Sequence, residues 1–178
     1  IKYLIEIACD NNGIVLDFFS GSGTTADAVI QQNNLDGGTR KFILVQLPEP
    51  CSKEDSKHYI NICEIGKERI RRAGAKIKGE VEAGNAQLKL EEEPRQVPDI
   101  GFKVFKLDSS NLKKWQPRED DLEQSLFDSV GNYVEGRSEK DVVYEIMLKM
   151  GLSLTCPLEE HDVGGKKVYA IGYGALML

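Results

Sequence analysis

Apolar residues at Ile1, Leu4, Ile5 and Ala8 recur at the three- and four-residue spacing of one helical face, and Asn11-Asn12-Gly13 ends that pattern. Ile14–Phe18 then reads as a short buried strand, followed by a glycine-rich turn and a helical pattern from Thr24 to about Gln32. Asp36-Gly37-Gly38 signals a loop, and Lys41–Leu47 is a second buried strand closed by Pro48. Helix, strand, glycine turn, helix and strand in this order predict a parallel α/β sheet.

A further helix is predicted over residues 56–78, with Ile62, Gly66, Ile70, Ala73 and Ile77 on one face. Residues 79–98 lose the periodicity and gather Gly79, Gly84, Glu91–Glu93, Pro94 and Pro98, which marks a domain boundary. The expected organisation is an α/β domain at 1–93 and a smaller α+β domain at 97–178. In the second, Phe102–Leu107 alternates like a half-buried strand, and Leu112–Trp115 is a short stretch to which no element is assigned. Residues 119–130 read as helical. Ser138 followed by Asp141 starts a helix through Met150, with Val142, Val143, Ile146 and Met150 as its core face. Gly164-Gly165 between two β-rich runs signals a hairpin in Leu158–Leu178.

Charge changes the picture little. Of 23 basic and 29 acidic residues, 12 and 15 lie in residues 1–93, and 11 and 14 in residues 94–178, so neither half is a basic nucleic-acid module. One local cluster stands out: Lys67, Arg69, Arg71, Arg72, Lys76 and Lys78, which is either a phosphate-contacting patch or a solvated helix face. Cys9, Cys51, Cys63 and Cys156 lack CxxC spacing, which points away from a zinc ribbon and towards a reducing, cytoplasmic compartment. Cys9 and Cys63 fall on apolar helix faces. His58 and His161 are isolated among polar residues and read as surface side chains, so neither a metal site nor a catalytic base is assigned. No run is long enough to span a bilayer, and no segment has the order of a signal peptide. The chain starts inside an apolar helical segment without a Met and reads as a fragment.

The chemistry concentrates in the turn after the first strand. Gly21 and Gly23, with Ala26 three residues on, satisfy a loose GxGxx(G/A) pattern, in which glycine permits positive φ and close backbone approach. Asp17 ends the strand, where ligands of open α/β sheets bind. A carboxylate there suits a ligand carrying a cationic group and repels a pyrophosphate, which favours S-adenosylmethionine over a dinucleotide. A nucleotide P-loop is excluded, since no lysine lies between Lys2 and Arg40.

Asp17-Phe18-Phe19-Ser20-Gly21-Ser22-Gly23-Thr24-Thr25 resembles the cofactor motif of amino-methylating DNA methyltransferases, which reads D-(P/F)-F-x-G-S-G-T-T. Phe42–Glu49, Ile65–Arg72, Gly101–Leu107 with Ser110-Asn111 and Trp115, Gly136–Glu139 and Gly164–Tyr169 resemble successive segments of the modification subunit of type III restriction-modification systems. The resemblance implies a partial Rossmann-like methyltransferase lobe that binds S-adenosylmethionine and acts on N6 of adenine in DNA. It also implies a restriction subunit and a second modification subunit as partners.

The family's catalytic tetrapeptide, (D/N)-P-P-(Y/F), is absent, because the six prolines at 48, 50, 94, 98, 117 and 157 are never adjacent. The resemblance places it, with the target-recognition region, upstream of Ile1, so no catalytic residue is expected here. By resemblance, Asp17 receives the methionine moiety and Phe18–Gly23 wrap the cofactor. Thr24 or Thr25 caps the helix or reaches the methionine carboxylate. Gln46 stands where relatives carry an acidic residue for the ribose hydroxyls, which a glutamine carbonyl can also accept; Glu49 is the alternative. Two other readings stay open: an NAD- or nucleotide-dependent oxidoreductase fragment, and a non-catalytic assembly module.

Overall fold

The computed structural model describes residues 1–51, 59–88, 93–114, 132–174 and 176–177. The chain divides into two units, Ile1–Phe102 and Lys103–Leu178. Both mix helices with small sheets.

The first unit runs α1 (Lys2–Ala8), β1 (Ile14–Asp17), α2 (Thr24–Asp36), β2 (Lys41–Leu44) and α3 (Ile62–Asn85). Strands β1 and β2 pair in parallel, with Leu16 opposite Ile43 and Asp17 opposite Leu44. Alternation sends Val15, Phe42 and Leu44 to the helices. Ile14, Leu16, Ile43 and Val45, on the other parity, are all more than half exposed. Helix α2 lies at the centre. Its Ala26 and Ile30 pack with Ile70, Ile77 and Val81 of α3, while Ala28 and Val29 meet Ile5 of α1.

Helix α2 continues to Asp36, four residues past the expected Gln32, because its polar last turn is buried with partners. Asn33 donates to the Arg40 carbonyl at 2.9 Å and accepts from the Arg40 N–H at 3.2 Å, and Gln32 donates to Asp36 at 3.0 Å. Gly37, with φ +70°, ends the helix in a left-handed cap. The Arg40 side chain, only 2 % exposed, donates to the Cys9 carbonyl, Asn11 Oδ1 and Asp36 Oδ1 at 3.2, 2.7 and 3.0 Å. One guanidinium therefore joins the end of α1, the following turn, α2 and the approach to β2.

Helix α3 begins after Asn61, whose side chain accepts from the Glu64 N–H at 3.1 Å. It runs past Gly79 and Gly84 to Asn85, seven residues beyond the predicted end, with Val81 only 2 % exposed on its buried face. The first part of the predicted helix, with His58, lies outside the described residues. Five of the six cations of the basic cluster pair with acids on the same helix: Lys67 with Glu64, Arg71 and Arg72 with Glu68, Lys76 with Glu80 and Lys78 with Glu82. That pattern is the solvated, ion-paired face.

Asn85 holds the incoming segment through reciprocal 2.9 Å bonds with the Arg95 N–H and carbonyl. Ile100 and Phe102 then pack into the α2–α3 core, and Ile100 lies over Gly74, where an added Cβ would come within 3.1 Å of it. The predicted strand over Phe102–Leu107 does not form. Phe102 belongs to the first core, whereas Phe105 stacks edge-on against Tyr144 at 5.0 Å in the second unit. The alternation reflects two separate anchors.

The second unit contains α4 (Glu139–Lys149), β3 (Leu158–Val163), β4 (Lys166–Ile171) and β5 (Leu176–Met177), the strands forming an antiparallel sheet in sequence order. The predicted hairpin is present, with Gly164 and Gly165 at φ +63° and +79° between Val163 and its partner Lys166. The predicted capping box also forms: Ser138 Oγ accepts from the Asp141 N–H, and Asp141 accepts from the Ser138 N–H. The core face of α4 differs from expectation. Val143 and Met147 pack against Tyr169 and Ile171, while Met150 is 57 % exposed and Ile146 only half-buried.

Glu145 accepts from the Ser110 hydroxyl and the Asn111 N–H and pairs with Lys149. Lys149 first, then Ser110, hold its carboxyl down to about 2 against the opposing effect of burial. The stretch Leu112–Lys114 forms only a bridge from Leu112 to Tyr133. Trp115 and the predicted helix at 119–130 lie outside the described residues.

The Arg40–Asp36 pair sets an acid limit. Hydrogen bonds from Arg40 and then Gln32 lower the Asp36 carboxyl to about 2. Because the folded value is depressed, its contribution is full above about pH 4 and is lost as pH falls towards 2. Asp36→Asn is expected to reduce stability at pH 7 by about 1 kcal/mol, allowing for solvent screening of a partly exposed partner. Urea titrations should show that deficit shrinking as pH falls from about 4 towards 2; a constant deficit would contradict the linkage.

Candidate functional site

The residues of the glycine turn converge at the carboxy end of β1. Asp17 is half-buried and held at both carboxylate oxygens: Oδ1 accepts from the Phe19 N–H at 3.2 Å and Oδ2 from the Thr25 hydroxyl at 2.5 Å. Each oxygen keeps acceptor capacity for a further donor. The orientation is thus fixed by the chain before any ligand is considered. Phe18 and Phe19, the next two residues, are 61 % and 84 % exposed, with their rings 5.0 Å apart.

The turn itself is stitched to β2. The Ser20 N–H donates to the Val45 carbonyl at 3.2 Å, the Gly21 N–H to Gln46 Oε1 at 2.7 Å, and the Gly23 N–H back to the Ser20 carbonyl at 2.8 Å. Ser22 lies between the two left-handed glycines, and Thr24 is the exposed first residue of α2. Neither threonine caps the helix: its N-cap is Gly23, which has no side-chain cap, and the Thr25 hydroxyl turns back to Asp17.

The two glycines do different work. At Gly21, φ is +52° and an added Cβ would meet nothing within 4 Å, so space is open in that direction. At Gly23, φ is +76° and an added Cβ would come 3.2 Å from the Gly66 carbonyl oxygen and 3.3 Å from its Cα. Helix α3 therefore lays bare backbone against the turn. Gly66 reads in the sequence simply as a core-face residue; a glycine inside a helix, where it is disfavoured by about 1 kcal/mol relative to alanine, is the signal that marks such an approach.

Gln46 lies two residues beyond β2, with its Nε2 donating to the Leu47 carbonyl at 3.2 Å while Oε1 takes the Gly21 N–H. Glu49 is exposed and stands five residues past the end of β2, where its carbonyl accepts from the Ile62 N–H at the start of α3. His161 is on β3, 3.4 Å from Glu159, and no group of metal-ligating side chains occurs among the described residues.

Residues 1–75 match a family described as DNA methylase. Over 172 residues, 95 % of the chain, it is 35 % identical to the type III restriction-modification enzyme EcoP15I Mod subunit of Escherichia coli, covering 23 % of that protein. It is 40 % identical over 109 residues to the StyLTI Mod subunit of Salmonella typhimurium, with 60 % of this chain and 15 % of the relative covered. A third relative is the type II methyltransferase M.KpnI of Klebsiella pneumoniae, 45 % identical over 53 residues, 30 % of this chain and 13 % of that one. The chain thus spans less than a quarter of the length of these relatives.

The glycine geometry separates two substitutions of identical chemistry. Gly23→Ala combines left-handed strain with a backbone clash and should lower stability by ~2 kcal/mol or more. Gly21→Ala carries the strain alone, ~1 kcal/mol. Chemical denaturation of the two variants should give that order, and equal losses would contradict the Gly23–Gly66 contact.

Proposed function

This chain is a relative of the modification subunits of type III restriction-modification enzymes, with the DNA methylase pattern at residues 1–75, and from that premise we propose that its first unit is the cofactor-binding part of a DNA methyltransferase. The observation that carries this reading is the Asp17 carboxylate, oriented by Phe19 and Thr25 beside the open backbone of Gly21. The cofactor is S-adenosylmethionine, which supplies an electrophilic methyl group on sulfur. Its ammonium group suits the spare acceptor capacity of Asp17. Phe18 and Phe19 offer apolar surface that excludes water, and Gly21 leaves room that any side chain would fill. Ser20, Ser22, Gly23 and Thr24 complete the wrap through backbone and hydroxyl groups, with Gln46 beneath them.

The intact protein methylates an exocyclic amino group of DNA, N6 of adenine, on a base turned out of the duplex. The catalytic tetrapeptide is not among these 178 residues, so positioning of the amine belongs to another part of that protein. The lobe is a partial Rossmann-like methyltransferase fold. Parallel sheets bury both faces, and the uncovered Ile14, Leu16, Ile43 and Val45 fit a β1–β2 pair that packs against further structure. An oxidoreductase role is not favoured: the relatives are modification subunits and a methyltransferase, and the Gly21 amide that a pyrophosphate would need is taken by Gln46. The protein acts in the cytoplasm within a restriction-modification system, with DNA and a restriction subunit as partners. No described helix is long and apolar enough to cross a membrane.

Residues 97–178 serve assembly with a restriction subunit or a second modification subunit. Basic residues number 11 against 14 acidic ones in residues 94–178, which makes this region a poor binder of phosphate backbones and a better one of protein. Deleting residues 103–178 from the intact subunit, which leaves Ile100 and Phe102 in the first core, should abolish co-purification with the restriction subunit or dimer formation. A truncated subunit that folds, binds cofactor and keeps both associations would overturn the assembly role.

In the intact subunit, Asp17→Ala should weaken S-adenosylmethionine binding by the ~1.5–3 kcal/mol of a charge-assisted bond, roughly ten- to a hundredfold. Calorimetry giving an unchanged affinity would remove Asp17 from the site. The 178-residue chain by itself should transfer no labelled methyl group to duplex DNA, and transfer above background would contradict the placement of catalysis elsewhere.

A further inference from the structure

The geometry points to Gln46 as the positioning residue of the glycine turn: it acts on the cofactor through the Gly21 backbone, and direct contact with the ribose is not its role. This deepens the cofactor-binding reading and rests on it for the ligand, but not for the contact itself. Three features carry it. First, the amide is committed at both ends. Oε1 must face the Gly21 N–H, a donor, at 2.7 Å, and Nε2 donates to the Leu47 carbonyl at 3.2 Å, so the side chain cannot flip without losing both bonds.

Second, the crest of the turn has no other support on that side. A Cβ at Gly21 would meet no atom within 4 Å; the Gly21 carbonyl oxygen lies against Gly66 of α3, 3.5 Å from where a Cβ there would sit, and the N–H is left to Gln46. Its neighbours are tied down by backbone bonds, Ser20 to Val45 and Gly23 to Ser20. Gly21, at φ +52°, is tied by a side chain. Third, an amide N–H that already donates to an internal partner is withdrawn from ligands. The turn keeps its shape without a ligand and presents Asp17 to a cation, with the anion-binding amide at its crest already satisfied.

The contact is tested in the ligand-free chain by amide hydrogen exchange resolved by NMR, in Gln46→Leu, Gln46→Asn and Gln46→Glu. Leucine removes the acceptor, asparagine withdraws it by one methylene, and glutamate keeps it. The Gly21 amide should exchange about tenfold faster or more in the first two and near the wild-type rate in the third. The Val45 amide, bonded to the Asp17 carbonyl, serves as an internal reference and should not change. Wild-type exchange at Gly21 in both the leucine and asparagine variants overturns the inference.

Affinity is then compared in the intact subunit for S-adenosylmethionine and an analogue lacking the ribose hydroxyls. Gln46→Leu should weaken both by the same factor, about five- to tenfold. A loss confined to the hydroxyl-bearing cofactor makes Gln46 a ribose ligand and overturns the positioning role. Failure of the wild-type subunit to bind S-adenosylmethionine would instead defeat the cofactor reading, while the exchange measurement still decides the Gln46–Gly21 contact.

Discussion

Where α2 begins, two stretches of backbone meet with no side chain between them. Gly23 faces the Gly66 carbonyl and Cα so closely that a single added carbon would lie 3.2 Å away. The left-handed φ of Gly23 and the bare surface of α3 answer the same constraint: the turn after β1 must fold back tightly enough for α2 to start beside Asp17. Thr25, one residue into that helix, reaches the carboxylate only because the helix starts there. Gly21 keeps open space only in its Cβ direction, while its carbonyl oxygen and the Gly23 backbone both lie against Gly66. Displacing α3 would therefore disturb the orientation of Asp17 without touching it.

A second constraint keeps α2 in place from its other end. The helix is enclosed by α1, the sheet and α3, so its last turn brings Gln32 and Asn33 into the interior. Buried amides require partners: Gln32 donates to Asp36, and Arg40 serves Asn33 while burying its own charge. The guanidinium is satisfied by the Cys9 carbonyl, Asn11 and Asp36, so polar residues that look like the start of a loop form a knot between four segments. Removing one partner from such a buried group is more damaging than never having had the pair.

The second unit relies on a similar logic at lower burial. Glu145 gathers the Ser110 hydroxyl, the Asn111 N–H and Lys149, which ties an irregular segment to α4. The capping box at Ser138 was legible because it is local: its donors and acceptors lie within one helical turn. The core face of α4 was not, because the apolar residues Val142, Val143, Ile146, Met147, Leu148 and Met150 cover more than one stripe. Periodicity admits several phases there, and contact with Tyr169 and Ile171 selects Val143 and Met147.

By itself the sequence determined what is local in chain and strong in chemistry. This includes the order of elements up to β2, the Asp17–Thr25 turn with its glycines, the cap at Ser138 and the hairpin at Gly164-Gly165. Each follows from residue types whose backbone or hydrogen-bonding needs are met within a few positions. Tertiary structure decided what depends on distant partners. It extended α3 to Asn85 because Val81 has a core to enter, despite two glycines that weaken the helix locally. It divided Phe102 and Phe105 between two cores, so an alternating stretch formed no strand. It placed the carbonyl of Gln46 on the Gly21 amide, 25 residues back in the chain. No spacing rule connects those two positions, because only the parallel pairing of β1 with β2 brings them together.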